Sequence, residues 1–210
     1  MKENKKQIAR QLLQIKAIKL NPAKPFIWAS GWNSPIYCDN RKTLSYPEIR
    51  VSIRDNFSRI INEKYPDVQG IAGVATGAIA HGILVAESMG LPFIYIRSSA
   101  KSHGLENLIE GYYESGQRFV VIEDLISTGG SSLKAVQALR EAGCEVLGMV
   151  AIFTYGFQKA VDNFSAAGCQ LDTLCNYEIL LETASETGYI SEQELASLRE
   201  WRKSPETWKK

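Results

Sequence analysis

Two adjacent acids followed by small hydroxyl residues are the part of this sequence best suited to chemistry. Glu123 and Asp124 follow an apolar run, and a loop of five small residues begins three positions after Asp124. Those five are Ser127, Thr128, Gly129, Gly130 and Ser131. Ionised carboxylates only accept hydrogen bonds, so they suit a vicinal diol, whose hydroxyls donate. Hydroxyls and unobstructed backbone N–H groups suit a phosphate. The segment therefore predicts a binding site for a phosphorylated sugar.

The residues around this segment have the pattern of a strand, a turn and a helix. Val120, Val121 and Ile122 form a continuous apolar run, as in a central parallel strand that is buried on both faces. Residues 132–142 have helical spacing, and Gly143 is a C-cap candidate. Ligands of open α/β sheets bind at the carboxyl ends of strands, and a helix N-terminus favours an anion. The alternative is a tight turn with a solvated acidic pair, which the order of all these parts disfavours.

A long polar connection, residues 97–117, interrupts an otherwise regular alternation of strands and helices. Connections of this length without structure of their own are usually functional or disordered. Arg97, Lys101 and His103 give this one positive charge. Because it lies one strand away from the small-residue loop, we predict a cationic arm that folds over an anionic ligand. A solvated charged loop is the alternative.

The composition is that of an ordinary globular protein, with 210 residues, 45% of them hydrophobic and 22% charged. A net charge of +1 gives no support for nucleic acid or an anionic membrane as a partner. Since the chain contains neither a signal-peptide pattern nor an apolar stretch near 20 residues, we expect a cytoplasmic protein. The four cysteines lack CxxC spacing and predict reduced core thiols instead of a metal site. They are Cys38, Cys144, Cys169 and Cys175.

Hydrophobic periodicity predicts an α/β fold with a central parallel sheet. An amphipathic helix is predicted over residues 3–18, and a second helix follows a capping box at residues 45–48. From Gly70 onwards, strands and helices alternate. The predicted strands are 71–75, 91–96, 118–123 and 146–153, with a possible edge strand at 171–174. The predicted helices of this part are 78–88, 132–142 and a last one capped at Ser191.

Three segments resemble those of a known family. Residues 120–132 closely resemble the phosphoribosyl pyrophosphate (PRPP) motif of type I phosphoribosyltransferases. Residues 26–41 resemble the N-terminal substrate segment of orotate phosphoribosyltransferases, and residues 97–104 are similar to the catalytic loop of that family. The resemblance covers nearly the whole chain and implies the type I phosphoribosyltransferase fold, a central parallel sheet flanked by helices in one domain. It also implies a division of residues 1–210 into three parts. These are a substrate-covering segment (1–66), a PRPP-binding core (67–157) and a C-terminal edge strand with helices (158–210).

The resemblance implies transfer of ribose 5-phosphate from PRPP to orotate, giving orotidine 5′-monophosphate and pyrophosphate in pyrimidine (UMP) synthesis. The catalytic roles that it implies fall on Lys101, His103 and Asp124. Orotate binding is implied for Ser127 and Tyr155. The residues implied to bind PRPP are Arg97, Lys101, His103, Glu123, Asp124, Leu125, Ile126, Ser127, Thr128, Gly129, Gly130 and Ser131. Mg²⁺ would be bound mainly through PRPP, without a dedicated protein cage. The family's catalytic loop reaches a neighbouring subunit, which implies a homodimer that shares the 97–117 loop.

Some positions depart from the family's pattern and leave alternatives open. Ala29 and Asn33 stand where lysines are often found, and residues 154–156 replace an Asp-Arg pair that can help to bind orotate. The orotate carboxylate is therefore less obviously clamped. A phosphoribosyltransferase for another base, such as a purine, would usually lack the N-terminal substrate segment. A non-catalytic PRPP-sensing regulator would be expected to add a nucleic-acid-binding module or a basic face.

Overall fold

The computed structural model describes residues 2–28, 31–97 and 108–209, which form ten strands and seven α-helices. The strands are β1 (Ile18–Leu20), β2 (Phe26–Ile27), β3 (Asn33–Ser34), β4 (Ile36–Cys38), β5 (Gly70–Val74), β6 (Phe93–Ile96), β7 (Ile109–Glu110), β8 (Arg118–Ile126), β9 (Glu145–Thr154) and β10 (Leu171–Asn176). The helices are α1 (Lys2–Gln14), α2 (Pro47–Lys64), α3 (Ile79–Met89), α4 (Gly130–Glu141), α5 (Gln158–Ala166), α6 (Tyr177–Glu186) and α7 (Glu192–Lys203).

A six-stranded sheet with the order β10-β9-β8-β5-β6-β7 forms the centre of the molecule. All neighbouring pairs are parallel except β6 and β7, which are antiparallel. The predicted parallel sheet is confirmed, including its edge strand at β10. The two-residue strand β7 was not predicted, because so short a segment carries no periodic signal.

Helices cover both faces of this sheet. Val120 and Ile122 of β8 pack in one buried cluster with residues of α1, α2, α3, α6 and α7. Phe119 and Val121 pack in the other cluster, beneath α4 and α5. Successive side chains of a strand point to opposite faces, so the continuous apolar run of β8 serves both layers. This alternation also decides where the two acids at the end of the run point.

Two predicted helix boundaries near the N-terminus are wrong. Helix α1 ends at Gln14, because Lys16 takes a left-handed φ of 54° and Ile18 then enters β1. The predicted capping box at Ser45 is absent, since Tyr46 is the N-cap of α2 and its side chain makes no capping hydrogen bond. The capping box of α7 is present: Ser191 Oγ accepts from the Glu194 N–H at 3.3 Å, and the Glu194 carboxylate accepts from the Ser191 N–H at 2.8 Å.

The N-terminal segment contains two short antiparallel pairs, β1 with β4 and β2 with β3, and Asn40 after β4 bonds to the Asp124 carbonyl near the carboxyl end of β8. A 3₁₀ helix, Asn40–Ser45, joins β4 to α2 and contacts β8. None of the helices in the described ranges has both the length and the apolar character that crossing a membrane requires.

Candidate active site

Strand β8 continues two residues beyond the acid pair, which was predicted to lie at its carboxyl end. Leu125 pairs with Phe153 and Ile126 with Thr154 of β9. Because Glu123 and Asp124 are both inside a strand, the pleat sends their side chains to opposite faces. Glu123 points towards α4, and Asp124 points towards the N-terminal segment and the start of α3. The two acids are therefore not equivalent, which their adjacency in the sequence did not indicate.

Glu123 is buried, with 5% of its surface exposed. Its Oε2 accepts a hydrogen bond from Ser132 Oγ at 2.7 Å, and its Oε1 accepts from the Asp124 N–H at 2.9 Å. Burial, followed by the negative charge of Asp124, raises the pKa of Glu123 to about 8. Both carboxyl oxygens are thus engaged inside the protein, in surroundings that favour the protonated form of the group.

Asp124 is the half-exposed member of the pair. Its backbone carbonyl accepts from Asn40 Nδ2 at 2.6 Å, so the N-terminal segment is attached directly to the acid. Gly77, in the turn after β5, lies against the Asp124 carboxylate, and a Cβ at residue 77 would overlap it. The Asp124 carboxylate therefore packs directly against the backbone of the Gly77 turn, at the carboxyl edge of the sheet.

The small-residue loop leads into α4 without a side-chain cap. Gly129 is the N-cap residue, with φ of 81°, and a Cβ there would meet the Phe164 ring at 2.6 Å. Asn163 Nδ2 donates to the Thr128 carbonyl at 2.9 Å and holds the loop from outside. Within the part of the chain that the structure describes, no backbone N–H of residues 128–131 has an acceptor. These N–H groups and the positive end of the α4 dipole form an anion-binding site.

Arg97 lies at the same edge of the sheet as the acids. It follows Ile96, which is level with Val74 at the end of β5. Its Nη1 is 3.5 Å from Glu110 Oε1, and its backbone N–H donates to the Leu108 carbonyl at 2.9 Å. Arg97 thus follows the carboxyl end of β6, two strands away from β8 and its acids, whereas Lys101 and His103 lie outside the described residues.

Tyr155, predicted to bind orotate, begins the turn after β9. Its N–H donates to the Ile126 carbonyl at 3.2 Å. Its ring is 3% exposed and packs 5.2 Å from the Trp28 ring and 5.9 Å from the Trp201 ring. Burial raises the pKa of Tyr155, and the negative charge of Asp124 contributes to the same shift. The side chain therefore belongs to an aromatic cluster beneath the site, within the electrostatic range of Asp124.

A cavity of about 530 Å³ borders the loop at Thr128. Trp32 and Gly156 also line it, and four cationic side chains surround it. These are Lys159 of α5 and Arg199, Arg202 and Lys203 of α7. Neither Glu123 nor Asp124 lines the cavity, so it extends from the outer side of the loop.

Three residues of this site were not found from the sequence. Asn40 reaches Asp124 over 84 residues of chain, and no local pattern signals such a contact. Ser132 was read as the start of a helix and as the last residue of the PRPP-like segment, and its hydrogen bond to Glu123 was not predicted. Gly77 contacts the Asp124 carboxylate from the turn after a neighbouring strand, and no local pattern signals that contact either. In the described ranges, no group of three or more His, Cys, Asp or Glu residues could hold a metal ion.

The parallel sheet and the uncapped N-terminus of α4 at its carboxyl edge are features of α/β proteins that bind phosphorylated ligands. The family model described as the phosphoribosyl transferase domain matches residues 43–180. A curated orotate phosphoribosyltransferase of Porphyromonas gingivalis is 61% identical over 208 residues, which cover 99% of each chain. The chain therefore belongs to the orotate phosphoribosyltransferase family.

Two solved structures have the same fold. The crystal structure of orotate phosphoribosyltransferase from Aeropyrum pernix gives a TM-score of 0.76 at 25% identity, covering 88% of this chain and 99% of that chain. The structure of Leishmania donovani UMP synthase gives a TM-score of 0.79 at 26% identity and covers 94% of this chain. The match spans 42% of the length of that second protein, so the likeness concerns one part of it.

Proposed function

We propose that the protein transfers ribose 5-phosphate from PRPP to orotate, giving orotidine 5′-monophosphate and pyrophosphate in pyrimidine nucleotide synthesis. The observation that carries this proposal is the placement of Asp124 and the uncapped N-terminus of α4 at one edge of the sheet. A carboxylate and a phosphate site so arranged suit the two ends of ribose 5-phosphate. The 61% identity to the P. gingivalis orotate enzyme supports orotate as the acceptor.

In this proposal, the 5-phosphate binds to the N–H groups and hydroxyls of residues 127–131. Asp124, backed by Glu123, holds the ribose 2′- and 3′-hydroxyls, with Leu125 and Ile126 shaping the wall between the two parts. The half-exposed Asp124 carboxylate is available to accept both hydroxyls. Glu123, with both oxygens engaged, acts from beneath through its neighbour.

The bond between C1 and the pyrophosphate oxygen breaks as N1 of orotate forms a bond to C1, and N1 loses its proton to the leaving pyrophosphate or to solvent. Positive charge then develops on the ribose ring, and negative charge develops on the leaving pyrophosphate. Asp124 stabilises the first charge, and Arg97, Lys101 and His103 stabilise the second. Because no nucleophilic side chain is needed, the role of the small-residue loop is to bind and orient the substrate.

Mg²⁺ is the cofactor that we propose. A hard cation of this kind retains several waters and takes its other ligands from substrate phosphates and from one or two carboxylates. The half-exposed Asp124 side chain fits that pattern, since it offers carboxylate oxygens without a surrounding cage. When bound, the ion would neutralise charge on the pyrophosphate, while the ribose contacts remain those of the protein.

For orotate, we propose Ser127 and Tyr155 as contacts. Ser127 is half-buried at the start of the loop and carries a hydroxyl that both donates and accepts. Tyr155 would contribute from the aromatic cluster beside Asp124. We further propose a cytoplasmic homodimer in which the 97–117 loop is shared between subunits. The division at residues 66 and 157 into substrate cover, PRPP-binding core and C-terminal part belongs to the same proposal.

The test is an assay of the purified protein with PRPP, Mg²⁺ and orotate, in which the decrease of orotate absorbance measures turnover. Consumption of orotate that depends on PRPP is the expected result. Turnover with a purine base but not with orotate would overturn the assignment of the acceptor. PRPP binding without turnover of either base would instead favour a regulator that senses PRPP.

A further inference from the structure

Arg202 of α7 holds the turn that follows β9. Its Nε donates to the Tyr155 carbonyl at 3.1 Å, and its Nη2 donates to the Gly156 carbonyl at 2.9 Å. Its Nη1 lies 2.7 Å from Glu178 Oε1. All three guanidinium nitrogens are therefore engaged, and two of them hold consecutive carbonyls of one turn. A planar guanidinium can make such a pair of bonds, whereas a lysine ammonium cannot reproduce it.

The same turn is hydrogen-bonded to Ile126, the residue that precedes the small-residue loop. The Tyr155 N–H donates to the Ile126 carbonyl at 3.2 Å, and Thr154 Oγ1 donates to that carbonyl at 3.3 Å. Ser127, the first loop residue, follows Ile126 directly. Arg202 thus reaches the loop through two successive sets of hydrogen bonds, without lying in the loop itself.

The helix that carries Arg202 is firmly packed. Trp201 and Leu198 are fully buried, and Tyr177 Oη donates to the Leu198 carbonyl at 3.0 Å. On the other side of the contact, Gly156 has φ of 66°, and a Cβ there would come within 3.0 Å of Arg202 Nη2. The guanidinium and the turn are in close contact, so a displacement of one is transmitted to the other.

We propose that Arg202 is a positioning residue that sets the loop of residues 127–131 for the 5-phosphate, acting through the Tyr155–Gly156 turn and not on the substrate. The inference rests on the proposed role of this loop in binding PRPP. Arg202 lies on the C-terminal helix, 71 residues from Ser131 in sequence, so nothing in the PRPP motif indicates it.

The test compares Arg202→Lys with Glu178→Gln as a matched control. The lysine variant keeps the charge but loses the paired bonds to the turn, whereas the glutamine variant removes the ion pair and keeps those bonds. We expect Arg202→Lys to raise the Kd and KM for PRPP about tenfold, as the loss of one well-made hydrogen bond would. Its kcat at saturating PRPP should change less, and Glu178→Gln should stay within about twofold of the wild type.

Thermal unfolding of each variant separates positioning from stability. A lower Tm with an unchanged Kd for PRPP in Arg202→Lys would make the residue merely structural and overturn the proposal. Equal losses of PRPP affinity in both variants would also overturn it. If Arg202→Lys fails to fold, Arg202→Gln takes its place, because its side chain can still donate to one carbonyl. This variant should bind PRPP more weakly than the wild type, and wild-type affinity would contradict the inference.

Calorimetry with wild-type protein tests the proposed function separately, because PRPP binding without orotate turnover leaves the Kd comparison valid. A wild-type protein that binds no PRPP overturns both proposals.

Discussion

Gly77 lies directly against the carboxylate of Asp124, so that a Cβ at residue 77 would overlap its atoms. The contact joins the turn after β5 to the neighbouring strand β8. Gly77 does not have a left-handed φ, so the backbone itself would accept an alanine. The Asp124 carboxylate is the free end of a half-exposed side chain and can swing aside. The absence of a side chain at residue 77 therefore serves the position of the acid.

We predict that Gly77→Ala lowers kcat about tenfold, because a carboxylate displaced by even one ångström loses its alignment with the ribose. The Tm should change by only a few degrees, since a side-chain end can move out of the way. Steady-state kinetics and thermal unfolding are the measurements. In a double-mutant cycle with Asp124→Asn, the two losses should be non-additive. Additive losses would mean that Gly77 acts through something other than Asp124.

The buried Glu123 predicts a pH-dependent stability. Its pKa is raised to about 8 in the folded protein, above the ordinary value of 4.5. The protonated form therefore favours folding below about pH 4.5, and this contribution is lost as the pH rises through 8. Glu123→Gln cannot ionise, so the Tm of the variant relative to wild type should increase between pH 5 and pH 9. Thermal unfolding across this range checks the prediction. A constant difference in Tm would show that Glu123 ionises at its ordinary pKa.

Loss of the hydrogen bond from Asn40 to the Asp124 carbonyl should lower both the stability and the activity of the protein. Asn40→Ala leaves a part-buried acceptor without its donor, which should lower the free energy of unfolding by about 1–3 kcal/mol. Because the bond also fixes the backbone of Asp124, kcat should fall as well. Asn56→Ala is the control, since Asn56 Nδ2 donates at 2.9 Å to Ser52 within α2, away from the site. Denaturant unfolding and kinetics measure the two effects, and equal kinetic losses in both variants would contradict the role of Asn40.

Lys101 is predicted to act on the leaving pyrophosphate. Lys101→Ala should lower kcat by roughly 10²–10³, by analogy with the loss of one oxyanion-hole donor. The free energy of unfolding should stay within about 0.5 kcal/mol, as for surface substitutions. Lys19→Ala, on the exposed face of β1, is the control for the loss of a positive charge. Normal turnover in Lys101→Ala, or an unfolded variant, would contradict the assigned role.

Much of the fold could be predicted from local pattern. The apolar runs of β5, β8 and β9 and the spacing of α2, α3 and α4 each carry a signal within about ten residues of chain. Predicted helix boundaries were wrong where the conformation of a single residue determines where the helix ends. Lys16 turns the chain at φ of 54°, although Ile15 and Ile18 continue the helical spacing. A left-handed lysine has no signature in the sequence.

The candidate site could be predicted in its types of residue but not in its contacts. The acid pair and the small-residue loop lie in one short segment, residues 123–131, so their order in the sequence indicates a sugar-phosphate site. The separate surroundings of Glu123 and Asp124 depend on how far β8 extends. That extent is decided by pairing with β9, a long-range contact that no local pattern reports. Asn40 and Gly77 reach Asp124 from other elements for the same reason.

The antiparallel pairing of β7 with β6 limits how far the cationic arm can act. Ile96 pairs with Ile109, and the Arg97 N–H bonds to the Leu108 carbonyl, so both ends of the connection are fixed at one point of the sheet edge. A chain spans at most about 3.6 Å per residue, so this common anchor point bounds how far the residues between Arg97 and Leu108 can extend from it. The number of residues in the predicted cationic arm therefore limits the distance that it can reach from the sheet edge. If the protein forms the homodimer proposed above, the small-residue loop of the partner subunit must come within reach of this anchor point.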